Sequence, residues 1–593
     1  MKNETIKTDF CVVGGGLAGM IAAISAARRG TKTVLIQDRP VLGGNSSSEI
    51  RMHVCGAHGE NLRETGLIEE LMLDNYYYNY TPNYSMWDAV LYGKAKTQEN
   101  LAVLLNASVN SLEMDGDGSR IKSVTAWQLT SETWLTVEAA LFADCSGDGI
   151  LAPLSGADFR VGREGRDEFN ESIAPETADK KTMGMSCLFQ GREHSTPQPF
   201  TPFPWAYSYT GDNIEWLKHR GVNVFGTNFW WMEVGGEMDS IYDTEKCRDE
   251  LLKIAFGVWD YLKNHAAEKE KYANLSLDWQ SFLPGKRESR RYCGDVILNQ
   301  HHVEAAGKDF DDIVAYGGWS MDDHFPGGFY HLGPGTIFHP APSPYGIPYR
   351  SLYSRNIANL FCAGRCHSAT HSAMSSTRVM GTTSLMGQAV GTAAAIAVRD
   401  SLTPRGVHEN RVKELQQSLL DDDSYLPWQS RDIAPLSAAA ALSASAGSDP
   451  APLRNGVDRP VGDADNGWTG PLGASIEYRF AQPADVSEVR IVFDSDLNRT
   501  DPSRQRGQSR LLNMRYYIGA NDAPFAPPAP LVKDFKIEIL NAAGEWVVAK
   551  EISGNWQRLV KLPLAAARAQ GVRLTPLATW GSAEARVFAF EAR

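Results

Sequence analysis

The sequence has no apolar run long enough to span a bilayer. Its opening residues, MKNETIKTDF, lack the charged-then-apolar order of a signal peptide. There is no C-x-x-C pair, and the 8 cysteines are scattered. That excludes a dithiol redox centre of this spacing and fits reduced thiols in a cytoplasm. Positive charge is in deficit: 58 Lys and Arg face 71 Asp and Glu, a formal net charge of −13. Such a balance argues against nucleic acid as the main partner. A cytoplasmic protein is expected, with no membrane span. The 593 residues exceed one typical core, so about two to four domains are expected.

What the chain does have begins near its start. A short apolar run, Phe10 to Val13, leads into Gly14-Gly15-Gly16-Leu17-Ala18-Gly19. An Ala-rich segment, Met20 to Arg29, closes at Gly30, and a second apolar run covers Thr33 to Ile36. The order is strand, glycine turn, helix, strand. Gly14, Gly16 and Gly19 therefore fit G-x-G-x-x-G inside a complete βαβ unit, the context that gives the motif meaning. Gly14 permits the tight turn, Gly16 lets a pyrophosphate approach the backbone, and Gly19 lets helix pack on strand. The amides of the helix start, Leu17 and Ala18 among them, would hold the phosphates with help from the helix dipole. A dinucleotide site is expected. The acid that usually binds ribose at the end of the second strand is replaced by Gln37, followed by Asp38 and Arg39. The amide of Gln37 or the carboxylate of Asp38 would make that contact.

Residues 41–60 read VLGGNSSSEIRMHVCGAHGE. The βαβ unit with this delayed Gly43-Gly44 resembles FAD-dependent oxidoreductases of the glutathione-reductase superfamily, and among them the fumarate-reductase flavoproteins. The resemblance implies that Gly43, Gly44, Asn45, Ser46 and Arg51 lie along the ribityl and isoalloxazine of FAD, with His53, Cys55 and His58 near the ring. Some relatives attach flavin covalently to a histidine hereabouts; a polar loop lining the pocket is the plainer reading. The missing C-x-x-C removes the redox disulfide of the flavin disulfide reductases.

Residues 61–100 read as helical, with a tyrosine cluster at Tyr76, Tyr77, Tyr78 and Tyr80 that suits packing with wet hydroxyls. Residues 101–145 read as strands, similar to the family's β-hairpin, and Val109 would offer its backbone to adenine. Then Ala143-Asp144-Cys145-Ser146-Gly147-Asp148-Gly149 resembles the family's second FAD motif, with Ser146, Gly147 and Asp148 in contact with FAD. Cys145 and Ser146 depart from its usual Ala-Thr.

Residues 161–339 have another texture, rich in Trp, Tyr, Phe, Pro and Gly, broken by helix candidates near 243–266 and 301–315. Such a segment over a flavin domain suggests a substrate-binding cap; a core built from aromatics is the alternative. Lys286, Arg287, Arg290 and Arg291 could grip an acidic group, meet the FAD pyrophosphate or pair with neighbouring acids. Asp322-Asp323-His324 matches no strong metal spacing, and no metal is expected.

The second anchor is Asn359-Leu360-Phe361-Cys362-Ala363-Gly364-Arg365, a strand running into a glycine, followed by a long small-residue helix from Val379 to Arg399. It resembles the superfamily's last FAD motif, with Gly364 and Arg365 at the cofactor. RESRR, IPYR, NLFCAGRCHSATHSAMSSTRVM and GQAVG together closely resemble one bacterial FAD oxidoreductase family whose members often sit beside polysaccharide-degrading enzymes. That likeness covers roughly residues 5–430 and makes the dinucleotide FAD rather than NAD.

Oxidising an alcohol needs a base for the O–H proton while hydride leaves carbon, and histidine suits the task near neutral pH. His367 and His371 are the candidates, with His53 in reserve, the segment Asp322–His331 as the fallback, and Arg378 as a further catalytic residue. Past residue 430 an Ala/Ser/Pro-rich stretch reads as linker, and alternating apolar residues from Ile476 onward indicate an antiparallel β-sandwich similar to discoidin-type, galactose-binding-like domains.

The whole reads as an α/β protein. Residues 1–160 and 340–400 form a discontinuous Rossmann-like FAD-binding domain and 161–339 the α+β cap. Residues 401–436 form a helical exit and linker, and 437–593 the sandwich. The expected activity is FAD-dependent oxidation of a carbohydrate or glycoside hydroxyl. Fumarate-reductase-like reduction of an unsaturated or carboxylated small molecule is the rival, and a carbohydrate-binding protein with a scaffold flavin domain is the alternative outside enzymes. The electron acceptor is unspecified, and formation of a homo-oligomer is left open.

Overall fold

The computed structural model describes residues 1–218, 220–222, 229–497, 517–518 and 524–593. The chain divides into two compact units. The first comprises residues 1–57, 82–415 and 512–524; the second comprises 58–81, 416–511 and 525–593. Part of the aromatic stretch read from sequence, Phe225 to Asn228, lies outside the described residues.

The first unit is built on a seven-stranded sheet. Strand β1 (Lys2–Val13) is followed by helix α1 (Leu17–Arg28) and strand β2 (Thr33–Ile36). Strands β3 (Leu101–Leu104), β4 (Ala107–Met114), β5 (Ile121–Gln128) and β6 (Thr133–Asp144) follow, with β7 (Leu360–Cys362) much later. The order is β3-β2-β1-β6-β5-β4, with β7 on β6. β1, β2, β3, β6 and β7 run parallel, while β4 and β5 form the antiparallel hairpin. The carboxyl ends of β1, β6 and β7 therefore finish together, Val13 beside Asp144 and Asp144 beside Cys362. Open parallel sheets bind ligands beyond such ends.

Glycine decides how tightly the central helices approach. Helix α1 is buried from Leu17 to Ala27. It packs on the later α3 (Met380–Asp400), preceded by the short α2 (His371–Thr377). A Cβ on Gly387 would stand 2.1 Å from the Ala18 carbonyl oxygen, and one on Gly391 2.1 Å from that of Ala22. Two glycines one turn apart thus let two backbones meet where larger residues would hold them off.

Residues 161–339 belong to the same compact unit as the sheet. Two small three-stranded sheets lie there. One joins Glu233–Val234, Met185–Ser186 and Gly285–Lys286; the other joins Leu275–Gln280, Phe189–Glu193 and Tyr517–Ile518. The helix Thr244–Asp260 forms close to where its pattern predicts. The second candidate does not: only Gln300–Glu304 is helical, and Ile313–Gly317 is a strand paired with Tyr345–Pro348. Ala306 and Gly307, both at positive φ, end the helix there. Phe189, Phe229, Trp231, Trp259 and Phe329 are fully or nearly buried against one another, so much of the aromatic richness is core.

The second unit is a seven-stranded antiparallel network whose long central strands, Ile476–Phe493 and Leu559–Thr579, carry register shifts where they bend. Its core includes Trp468, Tyr478, Phe535 and Phe590, together with Leu73 of the helix Leu67–Tyr78. The Ala/Ser-rich stretch read as linker is structured: Pro435–Ala439 is helical and Ala441–Ala444 pairs with the strand at Ile476. Among the described residues no helix is long and apolar enough to cross a membrane.

Candidate functional site

The first glycine turn is shaped by backbone approach. Gly14 sits at φ 105°, and a Cβ there would lie 2.4 Å from the Cys145 carbonyl. A Cβ on Gly19 would lie 1.9 Å from the Gly14 oxygen. Gly16 differs, since a Cβ on it would meet only the Gly44 Cα at 4.0 Å. Gly16 pairs with Gly43, whose amide donates to Gly15 O at 2.8 Å. A Cβ on Gly44 would lie 3.1 Å from the Gly16 Cα, so the two glycine turns meet backbone to backbone. Helix α1 starts at Gly16 with no side-chain cap, so the amides of Leu17, Ala18 and Gly19 have no side chain to satisfy them. Such a cradle fits a pyrophosphate.

The flanking residues are more committed than the sequence suggests. Gln37 is buried, its Oε1 accepting from the Gly15 amide at 2.6 Å and its Nε2 donating to Val41 O at 3.3 Å. It braces the glycine turn. Asp38 is exposed, with Arg39 Nε 3.6 Å away. Ser46 Oγ donates to Gly43 O, and Asn45 Nδ2 donates to Lys286 O at 3.0 Å. Val109 is buried in β4 opposite Ala126. Beside it the Ala107 amide donates to Gln37 O at 2.9 Å, which joins hairpin and nucleotide loop.

The second motif is organised by Asp144, which sequence reasoning placed in the motif without giving it a contact. It is fully buried and accepts from the Ser146 amide and hydroxyl, the Leu151 amide and the Tyr292 hydroxyl. Burial pushes its carboxyl up, and those four donors oppose the rise. Its signal in the sequence was its place at the strand end before Gly147. Asp148 binds Arg365 Nη2 at 2.8 Å and Lys286 Nζ at 2.7 Å. Burial would raise its pKa, but these two cations hold it well below the usual carboxylate range. Arg365 also donates to Gly147 O and Lys286 O. Three sequence-distant segments thereby close on one another beyond the sheet.

Two residues past the end of β7, Gly364 sits at φ 93°, where a Cβ would meet Ala18 Cβ at 3.6 Å. His367 is fully buried, its Nδ1 2.8 Å from Gly364 O and its Nε2 3.0 Å from Thr377 Oγ1. Burial pushes its pKa down to about 4, so it is neutral, and both ring nitrogens are occupied. His371, the first residue of α2, is the opposite case. Its Nδ1 lies 2.9 Å from Glu288 and its Nε2 3.1 Å from Asp323. Burial opposes its charge, but Glu288 and Asp323 outweigh that and push its pKa up to about 10. It is an imidazolium with no lone pair to offer. Behind it Glu288 pairs with the buried Arg291, which also holds Glu164 at 2.8 Å. Asp323, at the open end of this row, keeps about a fifth of its side chain exposed.

A second row uses the other face of the strand Met321–His324, as alternation requires. His324 lies 2.6 Å from Glu233 and 3.2 Å from Asp322, and Arg378 binds Asp322 at 3.1 Å. Two buried polar atoms there, Glu233 Oε1 and Arg378 Nε, have no protein partner. The structure thus brings His371 to Asp323 and Arg378 to Asp322. His53 lies on the earlier loop, its Nε2 3.3 Å from Cys55 Sγ. Cys55 O accepts from the Gly381 amide in the first turn of α3. Arg51 turns to other partners: Ser48 O, Gln190, Tyr84 and Trp279. Asp311, Asp312 and His408 have spacing compatible with a metal, but Arg350 already bonds both carboxylates.

The sequence profile of the FAD dependent oxidoreductases matches residues 9–419, spanning both glycine turns, the Asp144 turn and β7. The chain belongs to this family. It is an FAD-dependent oxidoreductase, and the uncapped start of α1 at Gly16 suits the cofactor's pyrophosphate. No curated protein matches the sequence. Local likenesses to solved structures include the family 32 carbohydrate-binding module of Streptococcus pneumoniae EndoD, at 15% identity over 26% of this chain and 97% of that one, TM-score 0.18. The family 32 module of C. perfringens NanJ in complex with galactose is similar at 12% identity over 27% of this chain and 97% of that one, TM-score 0.18. L-proline dehydrogenase from P. horikoshii is similar at 17% identity over 25% of this chain and 24% of that one, TM-score 0.16. Likeness at this level says nothing about activity.

Proposed function

We propose that this oxidoreductase oxidises a hydroxyl of a carbohydrate or glycoside, with Asp323 taking the hydroxyl proton. The observation that carries this reading is the row Arg291–Glu288–His371–Asp323. Its histidine is the first residue of the short helix that follows β7, and the row ends in a partly exposed carboxylate. Bound FAD supplies the acceptor for the hydride leaving the adjacent carbon. The residues do the rest. His371 donates to Asp323, holds its orientation and, against the effect of burial, lowers its proton affinity, so the carboxylate stays ionised at neutral pH. Asp323 is thereby a positioned acceptor for a proton. Glu288 keeps the imidazole charged, and Arg291 pairs with Glu288. His367 holds the turn at Gly364, and Arg378 orients Asp322.

The reductase reading loses its main support. All four cations of the Lys286–Arg291 segment are committed: Lys286 to Asp148, Arg287 to Ser186 and Glu233, Arg290 to Asp148 O, and Arg291 to Glu288 and Glu164. The test is stopped-flow reduction of the flavin by an oxidisable sugar in the wild type and in Asp323→Asn. Loss of a general base should slow reduction by about 10² to 10⁴ with FAD retained. Reduction of Asp323→Asn at the wild-type rate removes Asp323 from the role.

A further inference from the structure

Arg51 is a cation without a counter-ion. Its Nε donates to Ser48 O at 3.2 Å, and Nη1 donates to Gln190 Oε1 at 2.5 Å. Both partners are neutral, and no carboxylate lies within ion-pair distance of it among the described residues. The guanidinium lies over the Trp279 ring at 4.3 Å and the Tyr84 ring at 5.0 Å. Burial, the largest influence, lowers its pKa, while Tyr84, Asp278 and Asp88 act at longer range to sustain its charge. Neither acid lies within ion-pair distance of it. Asp278 is held by Arg192 at 2.6 Å, and Asp88 accepts from the Ser48 amide at 3.0 Å.

The backbone is unusual as well. Arg51 sits at φ 58°, in the left-handed region that a long side chain seldom occupies. Strain of this kind persists only where surroundings impose it, and it concentrates at binding sites. A guanidinium has five N–H donors, and two are spent here. The Nη2 group makes none of these bonds, and the side chain is only partly buried. Aromatic faces hold the plane of the fork, and a planar fork is built to take an oxyanion through two parallel hydrogen bonds.

We propose that Arg51 is the anchor for a carboxylate of the substrate, which makes the preferred substrate a sugar acid rather than a neutral sugar. The inference rests on the carbohydrate reading for the identity of the ligand. It departs from the resemblance that lays Arg51 along the flavin, because its contacts run to Gln190 and Trp279 of the cap and to Tyr84. The role is recognition, with no covalent step.

The test uses the FAD-loaded full chain and two variants, Arg51→Gln and Arg51→Lys. D-Glucuronate, D-glucose and inorganic sulfate are titrated, and the thermal midpoint and bound FAD are read. D-Glucuronate should stabilise the wild type well beyond the same concentration of glucose. Arg51→Gln should bind D-glucuronate roughly ten- to a hundredfold more weakly with its FAD content unchanged, the loss expected for a charge-assisted contact. Arg51→Lys should recover part of that affinity, since it keeps charge but loses the fork. Three results overturn the proposal: Arg51→Gln releases FAD, its affinity for D-glucuronate equals the wild type's, or the wild type binds sulfate but not D-glucuronate. The last would assign the site to a free inorganic anion. Flavin reduction by a neutral sugar in Arg51→Gln would leave the hydroxyl-oxidising reading standing whatever the fate of the anion.

Discussion

Replacing His371 by Asn should expose the energy stored in the buried row. His371 stands between Glu288, fully buried, and Asp323, and it is itself about 4% exposed. The rise in its pKa from 6.5 to about 10 corresponds to about 5 kcal/mol of preference for the charged form in the folded state. Removing one partner of a buried pair leaves the others uncompensated and typically costs about 3–5 kcal/mol, so the two routes agree in order of magnitude. The sign fixes the pH window. A histidine whose folded pKa lies above its unfolded value stabilises fully below about 6.5, and that contribution is lost as pH rises through about 10. The assay is denaturant unfolding of wild type and His371→Asn from pH 6 to pH 10.5, followed by release of FAD. The gap between them should be widest near pH 6 to 7 and should close towards pH 10. A gap under about 1 kcal/mol at pH 7, or one that stays constant across the range, refutes the imidazolium assignment.

His367 predicts the opposite trend. Its pKa is depressed from 6.5 to about 4, so its contribution is present above about 6.5 and is lost as pH falls through about 4. His367→Asn should narrow its stability gap to the wild type on acidification. Gly16→Val should yield folded protein that does not retain FAD, because its Cβ meets nothing but the space facing Gly44; absorbance of the purified variant reads this. Gly387→Val should fail to fold, since its Cβ would lie 2.1 Å from the Ala18 oxygen with no flexible neighbour to yield, and a soluble variant of native thermal midpoint would contradict that contact. All eight cysteines are buried, so thiol reagents should label the native protein slowly and all eight sites at once on unfolding.

The parts of the fold that were legible in the sequence are those governed by local periodicity and glycine. Gly14, Gly16 and Gly19 announced the first turn because backbone approach admits no other residue, and the small-residue run from Val379 announced α3. The 301–315 segment was misread as helix because apolar spacing there serves a strand after Gly307. The histidines were read as bases because residue type carries no information about neighbours. Glu288 and Asp323 are 83 and 48 positions from His371 in the chain, and only folding shows that both of its nitrogens are taken. Gln37 was read, with Asp38 as the alternative, as a ribose ligand for the same reason, and its amide braces Gly15. Nor does any local pattern reveal that residues 58–81 fold with the C-terminal strands through Leu73.

The central claim is hydroxyl oxidation by an FAD held at the glycine turns. The most direct test is anaerobic mixing of the oxidised holoenzyme with a panel of sugars, glycosides and sugar acids, following the visible absorbance of the flavin, alongside the chemically reduced enzyme mixed with unsaturated carboxylates. The account predicts that at least one member of the sugar panel bleaches the flavin stoichiometrically and that the unsaturated carboxylates leave reduced flavin unchanged. Bleaching by none of the panel, with return of colour on adding an unsaturated carboxylate, would contradict it.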